Sequence, residues 1–116
     1  MEARLTFVGK QNRINIGKET VRLLGCPQFV TIYLSTNRQY LAVAPCDEHN
    51  LMSFRVPDDL MQDHRKCLRI YSKAFVESIL RERNQFVNGT YCVSGNYSES
   101  QHAVLFPLSQ LAEIQQ

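Results

Sequence analysis

Tryptophan is missing from this 116-residue chain, glycine and proline are scarce at 5 and 4, and the charges nearly cancel, 13 basic against 11 acidic residues. Apolar runs are short as well. The longest, such as Ala103-Val104-Leu105-Phe106, fall far below the roughly 20 residues of a membrane-crossing helix, so no membrane span is expected. Low glycine and proline beside 44% hydrophobic residues exclude a disordered chain. The start, Met1-Glu2-Ala3-Arg4-Leu5, has no basic and apolar leader pattern, and the expected address is cytoplasmic. Catalytic signatures are absent too: there is no GxSxG, Walker loop, HExxH or GxGxxG, so neither catalysis nor a cofactor is expected.

The four cysteines, Cys26, Cys46, Cys67 and Cys92, form no CxxC pair. In a cytosolic chain they read as reduced, small buried hydrophobes. A chain of this length buries about two thirds of its unfolded surface, and needs neither disulfides nor a metal to fold. The net charge of +2 does not announce a polyanionic partner, so the placement of the basic residues decides that question.

What is present is period-two alternation in short segments bounded by turn residues, the mark of antiparallel strands. Seven or eight are expected. Residues 5–8 and 13–16 flank the polar turn 9–12 as a hairpin, and 18–24 read as a short helix stopped by Gly25-Cys26-Pro27. Strands at 29–34 and 40–44 follow. Residues 47–66 read as an acidic connector with one strand at 51–56. Then come a strand at 67–71, a helix at 73–83 capped by Ser72, and strands at 89–93 and 102–106 joined by a polar loop at 94–101.

The order repeats. Arg13-Ile14-Asn15-Ile16-Gly17-Lys18 lies over Cys67-Leu68-Arg69-Ile70-Tyr71-Ser72, and 42–45 lie over 104–107, each run ending in proline. We read the chain as one mainly β, α+β domain over 1–116, built from two ββαββ halves at 1–46 and 67–116 around the connector. Each half is too small to bury its own sheet face, so the two share a core.

The run Asn12-Arg13-Ile14-Asn15-Ile16-Gly17-Lys18-Glu19-Thr20-Val21-Arg22-Leu23-Leu24-Gly25, with the strands after it, resembles the AbrB-like family. That family carries Gly-Arg-apolar-x-apolar-Pro, a short helix with a basic residue, and Leu-Gly. Two such units in one chain resemble the MraZ-like branch, as does Asp63-His64-Arg65-Lys66-Cys67-Leu68-Arg69. The sequence departs from the pattern at Asn12, Gly17 and Tyr71, and at Cys26-Pro27-Gln28-Phe29-Val30, which stands where the family has Gly-Asp-x-Val. The resemblance implies a swapped-hairpin barrel of two pseudo-symmetric halves and a DNA-binding transcriptional regulator. Lys10, Arg13, Lys18 and Arg22, with Arg65, Lys66, Arg69 and Lys73 in the matching stretch, are the expected contact residues. Arg13 and Arg69 are assigned to bases or phosphate and the lysines to phosphate.

Three other readings stand beside this one. Cys46-x-x-His49 and His64-x-x-Cys67 have zinc-like composition, against which the cysteines are expected to face the core, and no metal is assigned. Asn88 and Asn96 fall in glycosylation sequons that read as turns. Tyr91, Tyr97, Tyr71 and Phe86 are candidate exposed anchors for a protein partner, whereas Tyr33 and Phe54 are expected in the core. The alternative function is therefore a protein-interaction module, an inhibitor or antitoxin-like protein of a mobile element, with self-assembly left open.

Overall fold

The structure, a computed structural model, describes residues 2–47, 53–62 and 67–114. Its elements are β1 (Ala3–Val8), β2 (Arg13–Ile16), α1 (Lys18–Leu23), β3 (Phe29–Leu34), β4 (Tyr40–Cys46), β5 (Ser53–Arg55), β6 (Leu68–Tyr71), α2 (Lys73–Glu82), β7 (Thr90–Ser98), β8 (Ala103–Pro107) and β9 (Ala112–Glu113). The strands are antiparallel and run in the order β5-β3-β4-β8-β7-β1-β2-β6, with β9 added to β7. This is a nearly closed eight-stranded barrel with two helices. Neither described helix is long and apolar enough to cross a membrane.

Alternation closes the barrel. Leu5 and Phe7 of β1, Ile14 and Ile16 of β2, Leu41 and Val43 of β4, Leu68 and Ile70 of β6, and Val104 and Phe106 of β8 all point inward and are buried in one cluster. Both helices pack on the barrel. α1 buries Thr20 and Val21, and α2 buries Val76, Ile79 and Leu80. Ser72 caps α2 as its sequence position predicts, its hydroxyl accepting the Phe75 N–H at 3.4 Å. After α1 the chain turns through two left-handed residues, Gly25 at φ 84° and Cys26 at φ 53°.

Several expectations are corrected. The polar stretch 94–101 is not all loop, because β7 runs on to Ser98 and only 99–102 turn. Ser94, Asn96 and Ser98 are the outward half of an alternation whose inward half is Gly95 and Tyr97. Gly95 is required there: a Cβ would sit 2.6 Å from the Phe106 ring. Asn96 accordingly lies on a strand, not in a turn. Of the connector strand expected at 51–56, Ser53–Arg55 form β5 and Val56 lies beyond it, while residues 51 and 52 fall outside the described residues. All four cysteines are free, but none is buried: Cys26 lies on the exposed turn after α1, and Cys46, Cys67 and Cys92 are half-buried. Cys92 illustrates the reason, since it lies between inward Tyr91 and Val93 and so faces out.

The strand order has an internal relation. Exchanging β1 with β5, β2 with β6, β3 with β7 and β4 with β8 maps six of the seven neighbouring pairs onto one another. The exception is the β1–β2 hairpin, whose counterpart β5–β6 is unpaired among the described residues and forms the open seam. The superposition of 42–45 on 104–107 fails by one residue, because it lays core-facing Val43 over outward-facing Leu105.

Candidate nucleic-acid interface

In the β2–β6 ladder Arg13 stands opposite Tyr71, Ile14 opposite Ile70, Asn15 opposite Arg69, and Ile16 opposite Leu68. Since the four apolar residues fill the barrel, Arg13, Asn15, Arg69 and Tyr71 share the outer face, with cross-strand neighbours about 5 Å apart at Cβ. β1 widens this face, with Val8 beside Arg13 and Thr6 beside Asn15. Arg69 and Tyr71 are exposed, Tyr71 at 62%. Hydrogen bonding to the Cys67 side chain is the main cause that raises the Arg69 guanidinium above its ordinary value.

Arg13 is half-buried, and its Nε has no hydrogen-bond partner among the described residues; neither does the Oδ1 of Asn15 two residues on. A sheltered donor and a sheltered acceptor thus lie on one strand face with their hydrogen bonding unmet.

One end of this ribbon is built by the hairpin loop. Gly9 donates to the Gly89 carbonyl at 2.9 Å, and a Cβ on it would lie 2.1 Å from the Val87 oxygen, so only glycine fits. Asn12, left-handed at φ 54°, closes the loop, and its carbonyl accepts the Ser72 N–H at 2.9 Å. That bond sets the loop carrying Lys10 against the start of α2, where Lys73 is the first residue. Both lysines are exposed.

Four of the eight expected contact residues, Lys10, Arg13, Arg69 and Lys73, therefore gather on the ribbon and at its Arg13–Tyr71 end. Lys18 and Arg22 do not join them. Both lie on α1, beyond the opposite end, and Arg22 is engaged by the Glu19 carboxylate at 2.5 Å with the Met61 sulfur at 3.9 Å. Arg65 and Lys66 fall outside the described residues. Asn15 was not expected at the site, although alternation about Ile14 and Ile16 already placed it outward. Arg4 was also missed; it is exposed on β1 and shared with Glu2 at 3.7 Å.

The zinc pattern is only half placed, because His49 and His64 lie outside the described residues; Cys46 ends β4 opposite Phe29, and Cys67 precedes β6. His102 sits left-handed in the β7–β8 turn, its Nδ1 2.9 Å from the Tyr97 hydroxyl.

The aromatic expectations divide. Tyr91 is 1% exposed, packed in the barrel with its hydroxyl donating to the Phe86 carbonyl at 2.9 Å, so it is no surface anchor. Tyr97 is half-buried against the core, as is Phe54. Tyr33 is exposed rather than buried, since Ile32 and Leu34 on either side point inward. With Tyr40 it walls an open groove of about 490 Å³ floored by Ala42 and Leu105. Phe86 is 68% exposed. No family model matches the chain, and no curated protein or solved structure matches it either.

Proposed function

We propose that this chain is a DNA-binding transcriptional regulator without catalytic activity, built as a swapped-hairpin barrel of the AbrB/MraZ-like kind from two pseudo-symmetric halves. The observation that supports it best is the shared outer face of β2 and β6, which carries Arg13, Asn15, Arg69 and Tyr71 with Lys10 and Lys73 at one end. A two-stranded ribbon fits the major groove, guanidinium groups bind guanine edges bidentately, and flanking lysines neutralise phosphates. The exchange of strands between the halves, β1 on β7 and β5 on β3, supports the swapped-hairpin reading.

The test is retention of a random duplex pool by the purified protein and by an Arg13→Ala/Arg69→Ala double variant. Retention by the first and loss in the second supports the reading. Absence of retention at low salt overturns it.

A second reading rests on the groove between Tyr33 and Tyr40, on strands away from the basic ribbon. Tyrosines supply contact area at low entropic cost, as interface anchors do. On that reading the barrel docks on a protein, as an inhibitor or antitoxin-like module does. Retained DNA binding by a Tyr33→Ser/Tyr40→Ser variant separates the two surfaces.

A further inference from the structure

The two halves of the ribbon are alike in backbone and unlike in chemistry. Of the possible superpositions of β2 on β6, only the shift of 54 residues lays both inward side chains over inward side chains, Ile14 on Leu68 and Ile16 on Ile70. A shift of two more places Ile16 on Ser72, outside the strand. With the shift of 54, Asn15 and Arg69, which face each other in the ladder, are each other's counterparts. The local two-fold axis passes between them.

Every outward position around that axis differs. Arg13 at one end answers to Cys67 at the other, and Tyr71 answers to Gly17. Lys73, in a helix whose first turn has no acidic residue, answers to Glu19, the acid in the first turn of α1. Even the central pair is mixed. A guanidinium presents a fork of donors suited to guanine O6 and N7, whereas the Asn15 carboxamide carries no charge and its Oδ1 is sheltered. At the ends, a thiol offers only a weak donor where its counterpart is a permanent cation.

We propose that this face reads a duplex sequence without dyad symmetry and does so in a single orientation, with a guanine step under Arg69. The proposal rests on the DNA-binding reading above and specifies its partner. A symmetric face selects a palindrome, because each half-site meets the same side chains; this one presents two different half-sites to the groove.

The test is selection from a pool of random duplexes, followed by affinity measurements on three designed duplexes: the selected site and the two palindromes made by repeating its left or right half. The expected result is a non-palindromic motif, with each palindrome bound about tenfold or more weakly, the loss of at least one base-pair contact. The variant Asn15→Arg/Cys67→Arg, shown to be folded by its thermal melt, is expected to narrow the gap between the selected site and one palindrome. A palindromic motif, or equal binding of the three duplexes by the unaltered protein, overturns this proposal and leaves the DNA-binding reading standing. Absence of any salt-sensitive binding to the pool overturns both.

Discussion

Arg38 and Glu82 meet as a two-pronged ion pair, Nε to Oε1 at 2.7 Å and Nη2 to Oε2 at 2.6 Å, although 44 residues separate them. Arg38 sits left-handed at φ 59° in the turn between β3 and β4, and Arg83 donates to its carbonyl at 2.7 Å. The end of α2 is thereby tied to the hairpin on the first half of the chain.

The pair predicts a pH signature. Hydrogen bonding to Arg38 holds the Glu82 carboxyl below its ordinary value of 4.5. A depressed carboxylate adds stability above its unfolded value and loses it as pH falls through the lower folded value. Glu82→Gln is therefore expected to lower the melting temperature slightly near neutral pH. The gap to the unaltered protein should close in acid, as thermal melts across pH would show. Because both side chains are exposed, added salt should shrink the same gap.

Gly9→Ala tests the packing that positions the hairpin loop. The new methyl would lie 2.1 Å from the backbone oxygen of Val87, which no side-chain rotation relieves. A loss of about 1–3 kcal/mol is expected in denaturant unfolding. An unchanged midpoint would mean that the loop is not seated on 87–89.

Tyr91→Phe separates a barrel tyrosine from a surface one. Its hydroxyl is the donor to the Phe86 carbonyl, so removing it is expected to cost about 1 kcal/mol of stability. Binding to a macromolecular partner should not change, since Tyr91 is buried.

Much of the barrel was legible because its strands are covered on one face and solvated on the other, which writes the period of two into the sequence. Ile14 and Ile16 gave β2 its inward side, and Asn15 followed as outward. The Ser72 cap was readable from one residue and its position. What was hidden had physical reasons. Polar Ser94, Asn96 and Ser98 masked the end of β7, because its inward partners are a glycine and a half-buried tyrosine. β9 has two residues, too few to show a period. The engagement of Arg22 by Glu19 was legible as a three-residue helical spacing. The gathering of Lys10 and Lys73 was not, since it depends on the backbone bond from Ser72 to Asn12 across 60 residues of chain.

The most direct test of the central claim is the affinity for a duplex from the selected pool, measured over a series of salt concentrations. The proteins compared are the unaltered chain, Arg13→Ala/Arg69→Ala, and Arg81→Ala, whose exposed arginine lies on α2 near Glu77. The account predicts binding that weakens steeply with salt, a loss of about tenfold or more in the double variant, and no change in Arg81→Ala. Equal affinity of all three proteins would contradict it, because the outer face of β2 and β6 would then not be the surface that meets DNA.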